Sequence, residues 1–195
     1  MKKIKLDTML IASFITTLLY GSTYPYIHKT VMMVASEQIV ALNQIINCLS
    51  IVLFGFVWNK WSNKLFRFYP YFCIVDTLAL ALICVYTIAT NNVLVYYLAD
   101  TCLVALITRN IFCGNNKIQA IRYPTEDTRE EFDNNVNSVM AIATIIGSLI
   151  AMVLVLDFRA MICLATIGNA IDNIFYIGIF MGIKRKRNNA VKVKE

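Results

Sequence analysis

Six stretches of roughly twenty residues stay apolar from end to end, at 8–26, 38–58, 68–89, 93–112, 136–156 and 160–183, and nothing else in the chain narrows the fold as much. Crossing the hydrocarbon of a bilayer takes about 20 mostly apolar residues per helix. No water in that hydrocarbon satisfies an exposed peptide group, so each run has to be a helix. The strands of a barrel would need short alternating segments, which are absent. The 195 residues are 58% hydrophobic and 15% charged, against about 25% charged in an ordinary soluble domain. The expected fold class is therefore an all-α membrane protein: a domain of six transmembrane helices over 1–183, then a basic cytoplasmic tail over 184–195. Because Met1, Lys2, Lys3 and Lys5 precede the first run, a signal peptide has to be considered. The run is too long and lacks a small-x-small cleavage site, so it reads as a retained helix.

Cations set the expected orientation. Lys2, Lys3 and Lys5 precede the first run, Lys60, Lys64 and Arg67 follow the second, and Lys117, Arg122 and Arg129 follow the fourth. Lys184, Arg185, Lys186, Arg187, Lys192 and Lys194 follow the sixth. The other side holds only Lys29 and Arg159, with Arg109 near the inner end of the fourth run. Such residues stay on the cytoplasmic side, so both termini are expected in the cytoplasm and the protein in the cell membrane. The net charge of +6 raises nucleic acid as a partner. These cations sit at membrane ends, however, and the tail KRKRNNAVKVKE reads as an anchor drawn to anionic lipid.

Cys48, Cys73, Cys84, Cys102, Cys113 and Cys163 lie in or beside apolar runs, with no CxxC pair and one histidine in the chain. They read as small apolar fillers rather than as a metal site or disulfide framework, and no cofactor is implied. The outer loops, 27–37, 90–92 and 157–159, are short. The longest connection, 114–135, carries RYPTEDTREEFDNN, in which Asp127 or Thr128 is a candidate cap for a short surface helix through Glu130 and Phe132. No soluble domain is present, so function has to reside in the helices and their loops.

Between the second and third runs stands GFVWNKWSNKLFRF (55–68). It resembles the cytoplasmic signature of the major facilitator superfamily, Gly-x-x-x-Asp-Arg/Lys-x-Gly-x-Arg/Lys. Gly55 holds the glycine position, Lys60 the basic one, Trp61 the bulky apolar one, and Lys64 and Arg67 the later cations. Asn59 stands where the family has an acid, and Ser62 where it has a second glycine. A glycine there permits close approach of a neighbouring helix, and the cations can bind helix C-termini or carboxylates. The resemblance implies a conformational latch made by Gly55, Asn59, Lys60, Lys64 and Arg67. Inside-positive charge with interfacial tryptophans is the plainer account of the same residues.

Two further places agree. Arg129 precedes the fifth run where the family often has an arginine, and AIATIIGSLIA (141–151) is similar to the exporter pattern Gly-x-x-x-Gly-Pro-x-x-Gly. There Ala143 and Ala151 stand for glycines, Gly147 matches and Ser148 replaces the proline; small residues at this spacing also make a close-packing face in any bundle. The family has twelve helices in two six-helix halves, so the resemblance implies that this chain is one half. Its partner would be a second copy or another six-helix half.

Polar residues inside the runs are costly and point to function by default. Asp100 and Arg109 lie nine residues apart, half a turn out of phase on an α-helix, and so share no face. Arg109 falls where the family's fourth helix carries a functional arginine; snorkelling to the interface is its other reading. Asp76, Asp100 and Asp172 are the candidates for proton coupling. Asn169, Asp172, Asn173 and Tyr176 share one helical face and need a polar partner, through helix–helix hydrogen bonds or as a proton relay. Gly21 and Pro25 should kink or unwind the outer end of the first helix. Interrupted helices often border transporter sites. Tyr20, Tyr24, Gln44, Asn47, Asp100 and Arg109 are accordingly the candidate substrate-binding residues, since the family's cavity is lined mainly by its first, second, fourth and fifth helices. An interfacial aromatic belt near Tyr24, Tyr26 and His28 is the alternative.

No enzymatic site is recognisable: the GST at 21–23 lacks an intramembrane-protease context, and no phosphate loop or paired catalytic acids occur. The leading expectation is a half-size secondary transporter of a small solute, working by alternating access. One rival is the six-helix capture subunit of an energised vitamin importer, which needs Ala-x-x-x-Ala packing on the first helix. The other is a non-transporting interaction or immunity protein of the membrane.

Overall fold

The computed structural model describes residues 7–154 and 157–192, with side chains left aside at 24, 25, 28, 154 and 186–192. Its described part is all helix: α1 (Thr8–Val34), α2 (Glu37–Arg67), α3 (Tyr69–Thr90), α4 (Val93–Arg122), α5 (Glu126–Leu154) and α6 (Phe158–Lys192). Five of these, α2 to α6, are long and apolar enough to cross a membrane, and Thr8–Thr23 is a shorter apolar stretch. The protein is an all-α, multi-pass membrane protein.

Polar residues at the junctions define the helix ends. Asp7 caps α1 by accepting from the Met9 amide at 2.9 Å, Ser36 caps α2 at Ile39, and Asn92 caps α4 at Leu94, 3.0 Å away. Asn91 takes the left-handed conformation, φ 52°, that ends α3 and reverses the chain. Thr125 caps α5, its hydroxyl accepting from the Thr128 amide at 3.4 Å.

Three expectations about the connections give way. The loop at 114–135 shrinks to 123–125, because α4 continues to Arg122 and α5 opens at Glu126. The cap is thus Thr125 rather than Asp127 or Thr128, and no separate surface helix forms. Each extension has an apolar seam that pays for ordering it: Ile118 is fully buried, and Phe132 stacks on Tyr123 at 4.4 Å. Likewise α1 does not unwind at Gly21–Pro25 but runs on to Val34, since an unbroken helix best satisfies backbone groups in an apolar interior. Finally, α2 carries through WNKWSNK, with one departure from helical geometry at Trp61.

Packing is centred on α1, whose described side chains from Met9 to Ile27 are all buried or half-buried. It lies against α5 and α6 along most of its length, while α3 packs on α6 and α4, and α2 rests mainly on α4. The close approach of α1 to α5 comes from small residues. A Cβ on Gly147 would sit 2.7 Å from both the Leu18 carbonyl oxygen and the Ser22 Cβ, and Ala143 and Ala151 are buried on either side of it. Gly114 similarly admits the Tyr69 ring.

Two apolar clusters close the ends of the bundle. One joins Ile27, Val31, Leu80, Cys84, Tyr96 and Ile162; the other joins Met9, Tyr69, Cys73, Ile118, Phe132 and Phe180. Chain order places Thr16, Asp76, Thr101, Thr108 and Asn173 between the two clusters on their respective helices, so a polar layer is enclosed at mid-depth.

Candidate functional site

Asp76 of α3 is the hub of that layer. Its Oδ1 accepts from the Thr108 hydroxyl of α4 at 2.8 Å, and its Oδ2 accepts from the Asn169 and Asn173 amides of α6 at 2.7 and 3.0 Å. Asn173 also donates to the Thr77 hydroxyl at 3.0 Å. Three helices therefore converge on one buried carboxylate. The polar stripe of α6 finds its partner here, but it divides: Asn169 and Asn173 turn to α3, whereas Asp172 accepts from Thr16 of α1 at 3.3 Å. Tyr176 joins the apolar cluster near Phe180. Asp100 and Asp172 adjoin Thr101 and Asn173, so both stand at the level of that layer.

Helix α4 contains a π-helical segment, Val104–Thr108, between Asp100 and Arg109. One extra residue in the turn removes about 100° of phase. Asp100 and Arg109 then stand about 80° apart rather than half a turn, which revises the expectation that they share no side of the helix. The same shift brings Thr108 to within about 20° of Asp100, onto the side that meets Asp76. Arg109 is half-buried, and its Nε is buried without a hydrogen-bond partner. Such π segments recur at functional sites.

On the α2 side, the Asn43 Oδ1 lies 2.6 Å from the Thr101 hydroxyl and accepts from the Asn47 amide at 3.3 Å. The Asn47 Oδ1 is buried and unpartnered. Of the proposed substrate-binding set, Tyr20 packs against the first apolar cluster, and Asn47, Asp100 and Arg109 are half-buried in the bundle. Gln44 departs from the set: it lies on the exposed face of α2. The Tyr24 side chain falls outside the described residues.

The latch residues also differ from expectation. Among the described residues Gly55 has nothing within 4 Å of the Cβ it lacks, so no described helix approaches it closely. Asn59, Lys60, Lys64 and Arg67 are exposed, and Lys60 sits over the Trp61 ring at 5.1 Å. This stretch of α2 is instead fastened to α4 by contacts that the sequence reading did not assign. Buried Trp58 donates its Nε1–H to the Asn110 Oδ1 at 2.9 Å, and Lys117 donates to Ser62 and Asn63 at 2.8 and 2.7 Å. Arg129 is accounted for locally, since it donates to the carbonyls of Tyr123 and Pro124.

The one ion pair among the described residues, Arg122–Asp7 at 2.9 Å, ties the start of α1 to the end of α4. The Tyr123 hydroxyl also donates to Asp7. Burial, with the Asp7 carboxylate beside it, pushes the Tyr123 phenol above its ordinary pKa. The six cysteines are unbridged; Cys84 and Cys163 face each other across α3 and α6 at 3.8 Å, while Cys48 and Cys102 are exposed. Among the described residues no three His, Cys, Asp or Glu side chains are grouped to hold a metal.

No family model, curated protein or solved structure matches the chain. The likeness to the major facilitator superfamily accordingly rests on the residues quoted above.

Proposed function

We propose that this chain is one half of a secondary transporter resembling the major facilitator superfamily, moving a small solute across the cell membrane as a homodimer or with another six-helix half. The observation that carries the reading is the polar layer enclosed between two apolar clusters: Asp76, Asp100, Asp172 and Arg109 on three helices at mid-depth. Ionisable groups at membrane depth are expensive, and a substrate or ion path is their usual reason for being there. Two apolar plugs around such a layer are also what alternating access requires, one opening while the other stays shut. Asp76 holds the layer together, and Asp100 and Arg109 flank the π segment as the residues for substrate or proton.

A second half fits the exposed faces. The apolar spans of α2 and α5 are mostly exposed, more so than those of the other spanning helices. Gln44 is exposed between Leu42 and Ile45, where an amide facing hydrocarbon would be unfavourable unless covered. Gly55 and the latch cations are open on the same helix. The buried position of α1 speaks against a capture subunit, which would dock a partner through that helix.

The test is reconstitution into liposomes with an imposed proton gradient and a panel of small labelled solutes. Flux that disappears in Asp100→Asn and Arg109→Gln supports the proposal. A dimer that neither binds nor moves any solute, with or without the gradient, counts against it.

A further inference from the structure

We propose that a groove at the Arg122 end of α6 binds one anionic phospholipid of the adjacent leaflet. The groove encloses about 460 Å³ and is lined by Arg122 together with Ile174, Phe175, Gly178, Gly182 and Ile183 of α6. Among the described residues nothing lies within 4 Å of a Cβ built on Gly178 or Gly182, so these glycines make no close packing contact there; they floor an open channel. From Ile174 to Ile183 the channel runs about 13 Å at 1.5 Å per residue. That approximates one leaflet, half of a hydrocarbon layer about 30 Å thick.

The two ends of the groove differ in chemistry. Isoleucine and phenylalanine wall one end, suited to an acyl chain. At the other, the Arg122 guanidinium keeps donors beyond the single Asp7 oxygen it binds. Arg185 is exposed and falls within about 80° of Ile174, Gly178 and Gly182 around the helix axis. Cations above an apolar channel between helices match a negatively charged headgroup above its chain. A second copy docking on the same glycines about a two-fold axis would set Arg185 against its own counterpart, a like-charge contact.

The experiment is native mass spectrometry of the full chain from detergent, with phosphatidylglycerol or phosphatidylcholine added. One phosphatidylglycerol should be retained per chain, at lower lipid concentration than phosphatidylcholine. Arg185→Gln should weaken retention of the anionic lipid about fivefold, the effect of one cation near a surface, and leave phosphatidylcholine unchanged. Gly178→Leu with Gly182→Leu should abolish retention of both while the unfolding midpoint holds. Gly178→Ala gives the smaller step should the double variant fail to fold. Equal retention of the two lipids, or undiminished retention in the filled groove, overturns the proposal. So does loss of a dimer, rather than of lipid, in the leucine variant.

Discussion

Gly147 and Gly55 show how differently one residue type can matter in one chain. An added methyl at Gly147 meets backbone as well as a side chain, and backbone cannot swing away. Gly147→Ala should therefore lower stability by about 1–3 kcal/mol, read as an earlier midpoint in mixed-micelle unfolding. Gly55→Ala meets open space and removes a poor helix former, so stability should hold or rise by up to about 1 kcal/mol. If the second half covers Gly55, a bulky Gly55→Leu should instead reduce flux while leaving the isolated chain as stable as before. Asp76→Leu removes the acceptor of all three bonds, from Thr108, Asn169 and Asn173. At about 0.6 kcal/mol per interhelical bond in a membrane, the loss should be about 2 kcal/mol. Asp172→Leu, which loses one bond from Thr16, should cost about a third of that, and the two unfolding midpoints compared side by side check the difference. The acids were visible in the sequence because charge inside an apolar run is conspicuous. Asn43, Asn110 and Trp58 were not, because their partners, Thr101 and one another, lie more than fifty residues away along the chain, where helical periodicity carries no information.

At the scale of elements, apolar runs marked where helices cross hydrocarbon but not where they stop. Helix α4 gained ten residues beyond its run and α5 ten before its own, because Ile118 and Phe132 give polar segments something to pack on. The π segment had no visible signature at all: VALIT is as apolar as its surroundings, and what holds it is tertiary, Thr108 bonded to Asp76 on one side and Asn110 bonded to Trp58 on the other. Deleting Leu106, which is exposed, should return the segment to α-helix and leave Asp100 and Arg109 about 80° apart, since the deletion removes the one residue that the π turn had absorbed. The Asn43–Thr101 and Trp58–Asn110 pairs should then both persist. Hydrogen exchange in α2 and Trp58 fluorescence should therefore stay as in the parent chain; looser exchange or a fluorescence shift would show that the two parts of α4 had turned against each other. Oxidation with copper-phenanthroline offers a direct check on how α3 and α6 are placed. Cys84 and Cys163 should link within one chain with the loss of two hydrogens, leaving Cys48 and Cys102 open to alkylation.

For the whole molecule, the scarcely buried helices α2 and α5 define how two halves would meet. Cys48 on α2 and Ile145 on α5 are both exposed, each about ten residues from the same end of the bundle. Ile145→Cys should therefore crosslink to Cys48 between chains in lipid. Crosslinks confined to single chains at every reagent length would remove the homodimer. Helix α1 has the opposite character, enclosed by α5 and α6, and this sets an order of events during synthesis. Helix α1 is made before α5 and α6, so it has to wait in or beside the translocation machinery until more than a hundred further residues have been translated and inserted. A ribosome halted before α5 would leave behind a helix with no seat, exposed to quality-control proteases. Such contacts between distant parts of a chain form slowly, and the finished bundle is one whose later helices close around an earlier one.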